Sequence, residues 1–172
     1  MAGNLIFINE TSTASATSLD LDDVFSADYD LYMIATSFNS SSENSSRLRV
    51  ICSGSVQTTA IYGYSEIGLA GAFTYGSNRT DATSGFNNID LVESDYGSTA
   101  ISYIVNPYTS GTYTYLLSQS SGKWINGVTP SNIGYKYVGI WQGGTSVTGI
   151  QYSSIGGINT AMTIKVYGVS NG

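Results

Sequence analysis

The sequence alternates between apolar and polar residues in short runs, and no run keeps the spacing of an amphipathic helix. In "AMTIKVYGV" near the C-terminus, Met162, Ile164 and Val166 occupy every second position, and "DLYMIATSF" alternates in the same way. A period of two is typical of a strand with one buried face, whereas a helix needs apolar residues at i, i+3, i+4 and i+7. The chain is therefore predicted to be all-β, with no long helix.

Composition and spacing indicate how these strands are arranged. With 20 Gly, 14 Tyr and 2 Pro in 172 residues, the chain favours strands and tight turns. About nine to eleven strands, separated by turn signals, are the pattern of a sandwich or a barrel. No internal repeat has a fixed period, which argues against a propeller or a solenoid. We expect residues 1–172 to form one domain, in which two antiparallel sheets pack face to face.

Several local predictions accompany this fold. Residues 22–25 fit a one-turn helix, and "TYGSNRTDATSG" is typical of an exposed loop. "DYDLYMIATSFNS" and "RLRVICSGS" are predicted to pair as a hairpin through the Ser-rich loop "SSSENSS". The residues expected on the inner faces of the two sheets are Leu31, Met33, Leu48, Val50, Ile101, Tyr103, Ile164 and Val166. A register slip of one residue would exchange the two faces of any strand.

Charge is sparse and unevenly distributed along the chain. Charged residues make up 10% of the sequence and the net charge is −6, without the cluster of Lys and Arg that nucleic-acid binding needs. All twelve acids lie at or before Asp95, whereas the remainder of the chain contains Lys123, Lys136 and Lys165. This asymmetry suggests attraction between the two halves or between subunits. The alternative is that the acids simply occupy N-terminal loops.

The residue types needed for common catalytic and metal sites are scarce. The chain has no histidine, which removes the commonest general base and the usual zinc ligand. Its single cysteine, Cys52, excludes an intrachain disulfide and is predicted to be buried in a strand. The acidic stretch "DLDDVFSADYD" lacks the Gly and the Glu of a calcium loop. We therefore expect no enzyme activity, no cofactor and no metal site, and no apolar stretch is long enough for a membrane span.

Aromatic residues are the strongest candidates for binding. Flat rings on alternate strand positions can stack against sugars, but the same pattern also packs sheets and forms subunit contacts. The candidate binding or subunit-contact residues are Trp124, Trp141, Tyr113, Tyr115, Tyr135 and Tyr137.

Three stretches, in this order, resemble a known group of proteins: "FSADYDLYMIATSF", "RLRVICSGS" and "MTIKVYGVS". They are similar to tailed-bacteriophage virion structural proteins, which occur as head decoration proteins and as terminal modules of tail fibres. The matching elements are Tyr29, Asp30 and Tyr32, then residues 48–50, then Asn106 and Pro107, and finally residues 165–169.

This resemblance implies a jelly-roll β-sandwich that assembles on the surface of a virion and has no catalytic residues. It implies partners among other virion proteins of the capsid shell or the tail, and a homo-oligomer, with a trimer as one form. The chain would be made in the cytoplasm of a bacterial host. A capsid decoration or knob protein is the favoured role. The alternatives are a tail-fibre or receptor-binding module that recognises a host glycan, and a free lectin-like module. A jelly-roll can also hold its last strand inside a sheet, as the closing "MTIKVYGVS" would require.

Overall fold

The alternating runs form strands throughout a computed structural model, which describes residues 4–40, 42, 44–70, 74–92, 97–126, 129–158 and 160–170. Within these residues there is no helix. The described strands are β1 (Asn4–Ala16), β2 (Ser18–Leu21), β3 (Leu31–Asn39), β4 (Asn44–Cys52), β5 (Ser55–Val56), β6 (Tyr62–Ala70), β7 (Thr74–Thr83), β8 (Phe86–Val92), β9 (Gly97–Val105), β10 (Thr114–Asn126), β11 (Thr129–Trp141), β12 (Gly149–Ser154) and β13 (Thr160–Ser170).

Eight of the strands pair in a nested order. The strand β1 pairs with β13, β2 with β12, β3 with β9 and β4 with β8, all antiparallel. These pairs form the sheet order β1-β13-β3-β9, together with β2-β12-β4 and β8 on the other side of β4. Nested pairing of eight strands into two sheets is the jelly-roll arrangement. The predicted fold class, an all-β jelly-roll sandwich, is confirmed, and the part of the chain that the structure describes contains no long helix.

Two hairpins are inserted into this framework and widen one sheet. The pair β10–β11 follows β9, and the pair β6–β7 follows the short strand β5. They continue the first sheet beyond β9 in the order β10-β11-β6-β7, which gives eight strands facing a smaller sheet of β2, β12, β4 and β5 with β8. The last strand, β13, lies between β1 and β3 and is hydrogen-bonded on both sides, as a jelly-roll predicts.

The core lies between the two sheets and is rich in aromatic rings. Phe38 of β3 meets Tyr152 of β12 with ring centroids 5.8 Å apart, and Tyr62 of β6 meets Phe86 of β8 at 4.9 Å. Edge-to-face contacts of this kind are favourable beyond the apolar area that they bury. Since each contact joins strands of different sheets, the rings hold the two layers together.

The prediction of the inner faces is correct for four of the eight residues and wrong for the other four. Leu48, Val50, Ile164 and Val166 are buried, as expected. On β3 and β9, however, the inward residues are Tyr32, Ile34, Ala100, Ser102 and Ile104, whereas Leu31 and Met33 are only half-buried and Ile101 and Tyr103 are exposed. The outward residues of β3 are also mostly apolar, and those of β9 are more apolar than its inward ones, so hydrophobicity alone does not select the inner face.

Volume accounts for the inner face of β9. The strand β8 packs against β9, β10 and β11, and a Cβ added to Gly139 of β11 would lie 2.7 Å from the Phe86 ring. A close-packed interior must fill space without overlap. Small inward residues such as Ala100, Ser102 and Ser118 therefore suit the layer beneath the large side chains of β8. The hydroxyls of Ser102 and Ser118 also bond to each other at 2.8 Å.

Three local predictions are wrong. The strands β3 and β4 do not form a hairpin, because they belong to different sheets and the chain crosses the sandwich between them. The polar stretch "TYGSNRTDATSG" contributes the strand β7, which pairs with β6, because backbone hydrogen bonding does not require apolar side chains. Residues 22–25 are not helical, since Asp23 has a φ of 54° and the N–H groups of Val24 and Phe25 both donate to the carbonyl of Thr148.

Candidate assembly interface

The outer face of the eight-stranded sheet presents apolar side chains to solvent along a continuous row. In this row Leu117 of β10 lies directly opposite Val138 of β11 on one side and Tyr103 of β9 on the other. Leu117 is 48% exposed and Val138 is 55% exposed. Crossing the sheet from β1 to β6, the row consists of Phe7, Tyr167, Met33, Tyr103, Leu117, Val138 and Ser65.

A second row runs beside the first and adds charge. Its members from β1 to β6 are Glu10, Lys165, Ala35, Ile101, Gln119, Lys136 and Ile67. Lys165 Nζ lies 3.0 Å from a carboxylate oxygen of Glu10, and this hydrogen-bonded pair raises the pKa of Lys165 above its ordinary value. Both rows belong to the outward side of the eight-stranded sheet, which on β10 runs from Tyr115 to Lys123, and we call that side the outer face. The ion pair joins a residue of the N-terminal half of the sequence to one of the C-terminal half.

A shallow groove lies along the outer face where β6, β11, β10 and β9 meet. Its volume is about 820 Å³, and its lining includes Ile101, Tyr103, Leu117, Val138 and Lys136. Polar groups are interspersed, among them Gln119 and Thr99. The groove is thus mainly apolar, with hydrogen-bonding groups among its apolar side chains and the ammonium group of Lys136 at one side.

The outer face of the smaller sheet has the opposite character. Arg49 donates hydrogen bonds to the Ser84 carbonyl oxygen at 2.8 Å and to Gln151 at 3.2 Å, and Arg47 donates to the side chain of Asn87. Partial burial lowers the pKa of Arg47, and the charge of Arg49 acts in the same direction. The outward side chains of the smaller sheet are polar and are well solvated. Exposed apolar surface of the kind on the larger sheet instead marks an interaction site in soluble proteins.

The structure separates the aromatic residues that the sequence proposed as contacts. Tyr113 and Tyr115 are exposed, and Tyr135 is half-buried. Tyr137 and Trp141 are 3% and 1% exposed and belong to the core, so neither can contribute to a surface platform. The backbone of Trp124 lies in β10, but its side chain falls outside the described residues.

Packing explains why Tyr137 and Trp141 are buried. The Tyr137 ring stacks on Tyr64 with centroids 4.9 Å apart, and burial strongly raises the pKa of the Tyr137 hydroxyl. A Cβ added to Gly143 would overlap the Trp141 indole, which shows how closely the chain passes over that ring. Inward positions of β11 alternate with outward ones, so Lys136 and Val138 face solvent instead.

Sequence reasoning missed most of the outer face. Ile101 and Tyr103 were predicted to be in the core, and Leu117 and Val138 were not singled out. The signal that could have found them is the presence of large apolar side chains on both faces of β9, β10 and β11. A strand with one solvated face normally alternates with polar residues.

The described residues hold few groups suited to catalysis or metal binding. Among them, no three Asp, Glu or Cys side chains come together as a metal site would need. Cys52 is buried, and burial raises the pKa of its thiol, which disfavours the reactive thiolate. The described part of the chain also contains no helix long and apolar enough to cross a membrane.

Comparisons with known proteins add little to this geometry. No family model matches the chain, and no curated protein matches it significantly. A solved endo-β-1,4-glucuronan lyase from the fungus Trichoderma reesei aligns at 11% identity over 93% of this chain and 86% of its own, with a TM-score of 0.24. An aerolysin-like protein from Bombina maxima aligns at 8% identity over 90% of both chains, with a TM-score of 0.16. Structural similarity this low supports no inference about fold or function.

Proposed function

We propose that this chain is a non-enzymatic virion structural protein of a tailed phage, displayed on the particle as a head decoration or knob protein. The observation that supports this most is the outer face. Exposure of its apolar row, which includes Tyr103, Leu117 and Val138, to water costs free energy, and burial against a partner removes that cost. A jelly-roll is also an architecture that capsid proteins use. The sequence resemblance supplies the phage context.

The outer face serves as the contact surface in this proposal. Its apolar centre would be buried against another virion protein or another subunit, while the polar face of the smaller sheet stays in solvent. Interfaces with an apolar core and a polar rim follow the same plan. Tyr103 and Tyr115 are aromatic anchors of the type that dominates binding energy at interfaces.

Purified phage particles test the proposal. We expect mass spectrometry to detect the chain in the particles and cryo-electron microscopy to show its density at many symmetric positions on the head. Density confined to the tail would exclude the decoration role and favour the tail-fibre alternative. Absence of the chain from purified particles would contradict a virion role altogether.

A second candidate function is glycan recognition, and the groove on the outer face is the observation that favours it. Tyr103 offers a ring for a sugar face, while Gln119 and Thr99 offer hydrogen bonds to hydroxyls. A glycan array of the isolated protein tests this idea, with Tyr103→Ala as the variant and Tyr113→Ala as an exposed control outside the groove. Binding that Tyr103→Ala abolishes and Tyr113→Ala preserves would support recognition, and no binding to any sugar would oppose it.

A further inference from the structure

The distribution of charge over the fold shows what the outer face is suited to bind. All of the chain's lysines, Lys123, Lys136 and Lys165, occupy outward positions of the eight-stranded sheet. Among the described side chains at outward positions of that sheet, Glu10 is the only acid, and it pairs with Lys165. A protein with a net charge of −6 therefore has one large face that is both apolar and basic.

Four of the twelve acids lie at one end of the sandwich. Segments 22–30, 53–61 (which includes the short strand β5), 106–113 and 142–148 follow or precede strand ends that the antiparallel registers bring to the same edge. They contain Asp22, Asp23, Asp28 and Asp30, and no Lys or Arg. We call this region the acidic end. It also exposes the rings of Tyr108 and Tyr113.

Hydrogen bonds give the acidic end a defined shape. The Thr148 hydroxyl donates to a carboxylate oxygen of Asp22 at 2.7 Å, and the Ser26 hydroxyl donates to Asp28 at 2.8 Å. The Asn106 N–H donates to the Asp30 carbonyl at 2.7 Å. An end that is ordered before binding loses less conformational entropy when it docks.

Two modes of self-association through the outer face differ in their electrostatics. In a two-fold contact, the same face meets itself, so the lysines of one copy approach the lysines of the next. In a head-to-tail contact, the outer face of one copy meets the acidic end of another, and opposite charges face each other. Electrostatic complementarity of this kind sets partner choice and speeds association.

We propose that the outer face of one copy binds the acidic end of a second copy of this chain in a head-to-tail contact. Because most soluble homo-oligomers have closed symmetry, we expect these contacts to close into a ring. This inference rests on the proposed structural role and names the partner of the same face. The face has room for it: six strand spacings span about 29 Å, and four steps of two residues along β10 span about 27 Å. Their product, on the order of 800 Å², is what each partner of a standard interface buries.

A mixing experiment distinguishes the head-to-tail contact from the two-fold one. Leu117→Glu disables the outer face, and the double variant Asp28→Lys with Asp30→Lys disables the acidic end. Each altered side chain is exposed, so the fold should persist. Ser18→Glu is the matched control, since it adds a negative charge to an exposed position of the smaller sheet. Val138→Glu replaces Leu117→Glu if thermal melting shows that the latter fails to fold.

Sedimentation velocity of the full chain gives the result. We expect the wild type and Ser18→Glu to form an oligomer of one fixed size, and each disabled variant to associate at least tenfold more weakly. An equal mixture of the two disabled variants should form a heterodimer of twice the monomer mass, because one intact face still meets one intact end. A wild type that stays monomeric at millimolar concentration would overturn the inference, as would a mixture that contains only monomers.

The outcomes also separate this inference from the proposed function. If Leu117→Glu abolishes association but the mixture yields no heterodimer, the contact is two-fold: the head-to-tail inference is wrong and the structural role stands. If the chain is absent from purified particles, the phage role fails whatever the mixture shows.

Discussion

The hydroxyl of Tyr62 accepts a hydrogen bond from the backbone N–H of Val50 at 3.1 Å, across the interior between the two sheets. The same hydroxyl donates to the Gln57 carbonyl at 2.9 Å. Tyr62 begins the inserted hairpin β6–β7, whereas Val50 belongs to β4 of the jelly-roll framework. One buried hydroxyl therefore ties the insertion to the framework.

Replacing Tyr62 with Phe should destabilise the fold by about 1–3 kcal/mol, because the Val50 N–H and the Gln57 carbonyl lose their shared partner in the interior. Urea unfolding measures the loss. Tyr115→Phe removes a hydroxyl from a half-exposed ring and should leave the free energy of unfolding within about 0.5 kcal/mol of the wild type. Equal effects of the two variants would show that the Tyr62 bonds contribute nothing.

Stability should fall as the pH rises above about 10, the ordinary pKa of tyrosine. Burial raises the pKa of Tyr62 and of Tyr137 well above that value, so the unfolded chain loses these protons first and ionisation favours unfolding. The slope that each tyrosine contributes approaches about −1.4 kcal/mol per pH unit as the pH rises above that pKa. Urea titrations between pH 9 and pH 11 (about one unit on either side of that pKa) should show a shallower decline for Tyr62→Phe. If the free energy of unfolding of Tyr62→Phe fell with pH as steeply as that of the wild type, the ionisation of Tyr62 would not contribute to the loss of stability.

Two neighbouring leucines of β10 should respond differently to truncation. Leu116 is fully buried and its replacement by Ala should cost about 2–5 kcal/mol, whereas Leu117→Ala on the outer face should cost less than about 1 kcal/mol. Thermal or urea unfolding of dilute protein measures both. A large loss for Leu117→Ala in the monomer would mean that the outer face packs against part of the same chain.

Removal of residues 162–169 should prevent folding. The strand β13 supplies the buried residues Met162, Ile164 and Val166 and is hydrogen-bonded to both β1 and β3. Its loss would separate β1 from the rest of the eight-stranded sheet and leave unpaired edges on β1 and β3. Circular dichroism and amide NMR spectra of the truncated chain report the outcome, and a soluble, cooperatively unfolding product would refute the expectation.

Gly149 at the start of β12 has no room for a side chain. A Cβ there would lie 2.4 Å from the Leu21 carbonyl oxygen and 2.6 Å from the Asp22 Cα, both of them backbone atoms. Gly149→Ala should therefore destabilise the fold by about 3 kcal/mol. Gly111→Asn is the comparison, because Gly111 has a φ of +77° and open space around it, and Asn tolerates such a conformation. Its expected cost is less than about 1 kcal/mol.

The strands and the sandwich could be predicted from the sequence because alternation is a local property. The period of two in "AMTIKVYGV" depends only on the geometry of an extended chain, and it correctly places Ile164 and Val166 in the core. The absence of a helical period likewise predicted the absence of a long helix. The edge strand β7 was not predicted, because its pairing with β6 uses backbone groups that the side-chain pattern does not report.

The candidate interface could not be predicted in the same way. Where apolar side chains occur on both faces of a strand, as on β3 and β9, alternation does not identify the inner face, and a shift of one residue exchanges the two faces. The tertiary structure decides between them through volume: Ala100 and Ser102 fit beneath β8, so Ile101 and Tyr103 point outward. The same alternation buries Tyr137 and Trp141 and exposes Lys136 and Val138.

By itself the sequence determined that the chain forms strands, that they alternate in polarity and that few groups suited to catalysis are present. Only the tertiary structure decided which strands are neighbours and which apolar face remains in solvent. The physical reason is that the alternation that indicates a strand follows from the geometry of residues adjacent in sequence. Sheet order and face selection instead depend on contacts between residues far apart in sequence, such as Glu10 and Lys165.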